Sequence, residues 1–199
     1  MSSLFRNQLQ TGCITILCGS GLNPLDPWKV HCRGCVRRLI DEDVETLVYE
    51  LTAAQFCTTY ISLPRSPKSV IGIRLPFMTM VVKNMKMPFC FEFQILDDRG
   101  ARRRFRASNC HSRTTVSPLL CHMPLALDEG WNKVQIDLAS SQQERVRISV
   151  RVHPAKVFAN CRMRRIFFSD RWYKEDELPN SYRLKKPTRK TRSRLAEDY

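Results

Sequence analysis

Catalytic signatures are missing from this 199-residue chain. There is no Gly-x-Ser-x-Gly elbow, no P-loop and no dinucleotide fingerprint. Gly19-Ser20-Gly21 lacks a third glycine and runs into Asn23-Pro24, which reads as a loop. No pair of carboxylates stands out, because Asp97-Asp98 belongs to a turn. No apolar stretch reaches 18 residues, so no membrane-spanning helix is expected, and the opening residues lack the apolar run of a signal peptide. With 7 glycines and 11 prolines the chain is no low-complexity linker. Acidic residues are also scarce, 19 against 33 Lys and Arg, a net charge of +14. Such a chain is drawn to nucleic acid, an anionic membrane or an acidic protein face.

What is present fits a globular protein: 43% apolar and 26% charged residues. At roughly 150 residues per domain the length suits one domain with trimmings. Nine cysteines, an odd number, do not suggest a disulfide framework. They read as reduced, intracellular thiols acting as small apolar groups. Cys32-x-x-Cys35 beside His31 is the most metal-like fragment, but a structural zinc needs four ligands, commonly as two close pairs, and no second pair occurs. Neither a metal nor a cofactor is expected. Cys110 and His111 point to opposite faces of an extended segment, and His122 and His153 have no readable partner.

Strand patterns dominate. Phe89, Phe91, Phe93 and Ile95 alternate with Cys90, Glu92 and Gln94, the period of a strand with one buried face. Asp97-Asp98-Arg99-Gly100 is a turn, and Arg102 to Ala107 returns, so residues 89–107 predict a hairpin. Its second strand places Arg102, Arg104 and Arg106 on one face, and Arg103, Phe105 and Ala107 on the other. Val146 to Val152, Val134 to Leu138, Leu47 to Leu51, Ile14 to Ile16 and Cys161 to Phe168 predict further strands. Ile71, Ile73, Leu75 and Phe77 alternate too, with Pro76 marking an edge, strand end or bulge. Short helical turns are expected at Asp41–Asp43 and from Ser169 or Asp170 to Asp176. Eight or more strands without a long helical pattern predict an all-β fold, an antiparallel sandwich or barrel.

The expected division is one domain over 1–182 and a basic tail over 183–199. Seven of the twelve residues from Arg183 to Arg194 are Lys or Arg, and none is acidic. The candidate partner-binding residues are Arg102, Arg103, Arg104 and Arg106, then Arg162, Arg164 and Arg165, with Lys185 and Lys186 in the tail. Arginine's planar fork suits carboxylates and phosphates. The Arg-Arg-Phe-Arg string does not match the RNA-recognition consensus, and Phe105 has core parity.

The same segments resemble the cilia- and flagella-associated protein 20 family. The matching strings include Thr58-Thr59-Tyr60-Ile61, Gly72-Ile73-Arg74-Leu75-Pro76-Phe77, Lys83-Asn84 and Arg102-Arg103-Arg104-Phe105-Arg106-Ala107-Ser108-Asn109. Cys121-His122-Met123-Pro124, Gly130-Trp131-Asn132, Ala159-Asn160-Cys161-Arg162, Phe168-Ser169-Asp170-Arg171 and Glu175-Asp176-Glu177-Leu178-Pro179 follow in the family's order. The resemblance covers roughly residues 4 to 184. It implies a sandwich of the jelly-roll, carbohydrate-binding-module kind, used for protein contacts and without enzymatic activity. It implies a place in the cytoskeleton of the cilium or flagellum, with the basal body as a further setting. There the family closes the inner junction of doublet microtubules. The implied partners are tubulin, a Parkin co-regulated gene product-like junction protein and other axonemal proteins.

The chain departs from that family at Ala139 to Glu144, at Val152 to Lys156 and over Pro27 to Cys35, and its tail is more basic. It reads as a diverged paralogue, with the sperm flagellum as one fitting setting. The rival readings are a basic nucleic-acid-binding module and, on an exposed platform of Trp28, Trp131 and Trp172, a carbohydrate binder or zinc enzyme.

Overall fold

The computed structural model describes residues 2–5, 7–96, 100–117, 120–138 and 151–184. In chain order the strands are β1 (Ser2–Ser3), β2 (Cys13–Cys18), β3 (Lys29–His31), β4 (Cys35–Asp41), β5 (Thr46–Thr52), β6 (Tyr60–Leu63), β7 (Ser69–Val70) and β8 (Phe77–Asn84). They continue with β9 (Cys90–Leu96), β10 (Arg102–Ser108), β11 (Thr115–Val116), β12 (Leu120–Pro124), β13 (Gly130–Asp137), β14 (Arg151–Phe158) and β15 (Cys161–Ser169). A seven-stranded sheet runs β11-β12-β10-β9-β14-β6-β3. A six-stranded sheet runs β13-β8-β15-β5-β4, with β2 also joining β15.

The period of two explains how the sheets stack. Phe91, Phe93, Ile95, Phe105, Ala155 and Val157 point inward from the seven-stranded sheet. Ile14, Ile16, Leu51, Met78, Met80, Met163, Ile166 and Phe168 meet them from the six-stranded sheet. Together they form one core, which makes the fold a β-sandwich. Trp28 plugs one side at 1% exposure, its indole N–H donating to the Ile16 carbonyl at 3.0 Å. The predicted hairpin forms in register, Phe105 opposite Phe93 and Arg106 opposite Glu92. Those two phenylalanine rings stack with centroids 5.2 Å apart.

Several expectations need correction. The pairings are not all antiparallel: β10 runs parallel to β12, and β1 to β7. β8, the strand between β13 and β15, escaped the alternation test because Met78 to Val82 is buried on both faces. Its outer side is covered by Trp131 and the segment after β15, so Val81 and Thr79 are buried there and Lys83, near the strand's end, is the one charge on that side. Ile71, Ile73 and Leu75 do point inward, but the stretch before Phe77 is extended chain without a ladder. Neither expected helical turn is helical: 42–45 is the tight turn of the β4–β5 hairpin, and 175–177 is a plain turn. Among the described residues the helical turn lies at Phe56–Thr58. The turn at 97–99 and the alternation over 146–150 lie outside the described residues.

Phe93 touches both Phe91 and Phe105, with ring centroids 5.6 and 5.2 Å away. Phe93→Ala is therefore expected to cost about 3–5 kcal/mol, read as a drop in the urea midpoint with an unchanged slope.

Candidate functional site

The two outer faces of the sandwich carry opposite electrostatic solutions. On the six-stranded sheet, registry lines up Arg37, Glu50, Arg162 and Lys83 across β4, β5, β15 and β8. Asp41, at 0% exposure, closes this row from the end of β4. It accepts from Arg162 at 2.6 Å, Lys83 at 3.0 Å and the Trp131 indole N–H at 2.9 Å. Glu50 accepts from Arg162 at 2.6 Å and pairs with Arg37 at 2.6 Å, and Asp43 takes Lys83 at 2.7 Å. Three cations meet three carboxylates, so this face is internally matched.

The seven-stranded sheet is not matched. Its hairpin turns Arg102, Arg104 and Arg106 outward while Phe105 and Ala107 enter the core. One row across the sheet reads His122, Arg106, Glu92, Lys156, Ser62 and Lys29. Among the described strand residues of this face, Glu92 is the one acid. It is 5% exposed. Arg106 donates to its Oε2 from Nε at 3.2 Å and Nη2 at 2.7 Å, and Arg104 sits 3.4 Å from Oε1. Gln94, with its amide oriented to satisfy both partners, accepts from Arg104 at 3.2 Å. One carboxylate thus faces Arg104, Arg106 and Lys156, with exposed Arg102 and Lys29 beyond. Burial, then Lys29 and Lys156, hold His31 below its ordinary value, and burial, then Arg106, does the same to His122.

The structure thus divides the sequence-predicted arginines. Arg102, Arg104 and Arg106 share one face. Arg103 has core parity, half-buried opposite Ile95. Arg162 belongs to the matched network on the other side. Arg164 donates to the Arg183 carbonyl at 2.6 Å. Arg165, 7% exposed, lies over the Tyr182 ring at 4.2 Å and donates to Thr15 and Cys18. Lys185 and Lys186 lie outside the described residues. The chain is tied down past residue 182: Arg183 donates to the Leu178 and Asp176 carbonyls, and the Leu184 amide to Glu175.

Glu92, Lys156 and Lys29 escaped sequence reasoning. Glu92 was legible in principle, since hairpin register sets it opposite Arg106; the lysines come from distant strands. The tryptophans form no platform. Trp28 and Trp131 are 1% and 5% exposed, and only Trp172 reaches the surface, against Phe77. Cys32 and Cys35 are both exposed, and Cys32 donates to the Gly34 carbonyl. Among the described residues no helix is long and apolar enough to cross a membrane.

The fold is a β-sandwich whose outer faces differ, one carrying a matched row of charges and the other a cationic surface. Comparison with known proteins places it more closely. Residues 4–186 match the CFA20 domain, and the chain belongs to that family. It is 42% identical to cilia- and flagella-associated protein 20 of Paramecium tetraurelia, over 94% of this chain and 99% of that protein. The protein of the same name is 41% identical in Chlamydomonas reinhardtii (94% and 100% covered) and 43% in Caenorhabditis elegans (94% and 93%). Among solved structures, a family 11 carbohydrate-binding module from Clostridium thermocellum is similar over 82% of this chain and 99% of its own, at 11% identity and a TM-score of 0.40. That distance carries no ligand across.

Burial pushes the Asp41 carboxyl up, but hydrogen bonds from Arg162, Trp131 and Lys83 outweigh it and bring the group to about 2. A carboxyl lowered by folding stabilises above its unfolded value and loses that contribution as pH falls. Stability should fall between about pH 4 and pH 2. Asp41→Asn should cost about 1–3 kcal/mol at neutral pH, because it removes the charge of the buried acceptor shared by Arg162, Lys83 and Trp131, and should flatten the acid limb. Urea midpoints from pH 2 to 6 read both.

Proposed function

We propose that the protein is a non-enzymatic structural component of the axoneme of cilia and flagella. In this reading it binds tubulin at the inner junction between the A- and B-tubules of doublet microtubules. There it sits beside a Parkin co-regulated gene product-like partner, and a sperm flagellum is one setting for this copy. The observation that carries the proposal is the cationic outer face of the seven-stranded sheet. Among the described strand residues, Arg102, Arg104, Arg106, Lys156 and Lys29 share that face with one carboxylate, Glu92. An acidic protein lattice supplies the missing charge, and its repeat supplies avidity, so each copy needs only modest affinity. Family membership supports the ciliary setting. Lys185, Lys186 and the rest of the basic tail add a salt-sensitive contribution.

The nucleic-acid alternative draws less support from this face. Tyr60 is stacked on His31 at 4.4 Å and packed against Phe158 at 5.2 Å, so its ring faces are not offered to bases.

Co-pelleting of the full chain with doublet microtubules tests the proposal. Saturable binding is expected, retained by a chain ending at Leu184 and by reactions containing excess RNA. The double variant Arg102→Glu, Arg104→Gln should weaken binding about tenfold or more at low salt, with unchanged melting. Binding lost with the tail, or removed by RNA, would overturn the proposal in favour of generic basic charge.

A further inference from the structure

We propose that a preformed cleft at one end of the sandwich is the apolar anchor point of the same partner surface. It would accept one projecting hydrophobic side chain from an acidic protein partner. This inference rests on the reading of the cationic face given above.

The cleft is an open hollow of about 490 Å³. Three loops wall it: the one after β8, the one after β10 and the one between β12 and β13. Met87, Pro88, Leu125 and Leu127 supply apolar surface, with Lys86 and Cys110 at the sides. Met87 is 41% exposed.

Asparagines fasten these loops to one another. Asn84 donates to the Leu127 and Asp128 carbonyls and accepts from the Lys86 amide. Asn109 donates to the Met87 carbonyl at 2.9 Å and accepts from the Phe89 amide at 2.8 Å. Asn132 does the same for Asp128, accepting from its amide and donating to its carbonyl. A loop cluster held this way has already met much of the ordering cost of binding.

Position and charge together select the occupant. Asn109 and Cys110, which line the cleft, follow Arg106 by three and four residues on the same chain segment, so the cleft adjoins the Arg106 end of the arginine strand. A pocket of apolar surface beside a charged field is the anatomy of an interface core with its rim. A partner acidic enough to sit on Arg102, Arg104 and Arg106 brings its next surface feature over the cleft. A bulky aliphatic or aromatic side chain fits that space, beside Lys86, which Glu129 holds at 2.6 Å.

Salt separates the two contributions, because screening weakens charge pairs and leaves apolar burial intact. The test is co-pelleting of the full chain with doublet microtubules at low and high salt. Ala126→Trp, at an exposed position lining the cleft, should fill it and lower affinity about tenfold at both salts, leaving the salt dependence unchanged. Met87→Gln should act in the same direction without added bulk, and equal melting temperatures confirm intact folds. Arg102→Glu, Arg104→Gln should instead reduce the salt dependence. If both cleft variants bind like the parent while the arginine variant loses binding, the cleft inference falls and the cationic-face reading stands. If the parent itself fails to bind saturably, the reading beneath it falls. A parent self-association that Ala126→Trp abolishes would make a second copy the occupant and overturn the proposal.

Discussion

The contact between Phe93 and Phe105 holds the register on which the surface chemistry depends. Side chains alternate along a strand, so a slip of one residue would drive Arg104 and Arg106 into the core and Phe105 into water. The stacked rings forbid that slip, since each fills space that no arginine could occupy. Glu92 reinforces the same register from outside. It gives two neighbouring guanidinium groups a shared acceptor, and lets three arginines coexist on one face of the strand. Without such an acceptor the like charges would repel along and across the strands.

The two sheets solve one problem differently. A sheet face needs polar residues outward, and a basic chain will place cations there. On the six-stranded sheet the carboxylates of Asp41, Glu50 and Asp43 consume those cations, and residues 170–184 then lie across the same side, with Leu178 buried and Leu184 packed near Trp131 and Val81. That face is finished. On the described strands of the seven-stranded sheet a single carboxylate, Glu92, shares its face with several cations. A folding protein gains little from such a field, because it raises self-repulsion and contributes nothing to the core. The imbalance is consistent with a surface kept for a partner rather than for stability.

Much of this was legible in the residues themselves. The hairpin and the shared face of Arg102, Arg104 and Arg106 followed from turn residues and alternation, and the register came only with the structure. The all-β class followed from many short strands, and the family from strings spread along the chain. The failures share a cause. β8 was hidden because both its faces are covered, so Met78, Met80, Val81 and Val82 run together and blur the alternation. Arg162 and Arg165 looked like surface arginines because their partners, Asp41 and Glu50, Thr15 and Tyr182, lie more than a hundred residues away for all but one of those contacts. The helical turns were misjudged because capping residues serve hairpin turns and loops as readily as helices.

The amino-acid sequence alone determined the net charge, the period of the strands and the parity of each arginine. These are local properties, set by residue type and by a repeat of two. Only the tertiary structure decided which cations are matched. Pairing depends on distant strands meeting in register: Lys156 beside Glu92, Arg162 between Asp41 and Glu50, and Lys83 beneath Trp131. It also decided that three loops close around an apolar cleft at the end of the arginine strand. That arrangement exists only once asparagines from separate segments have tied those loops together, a constraint no single stretch of chain contains.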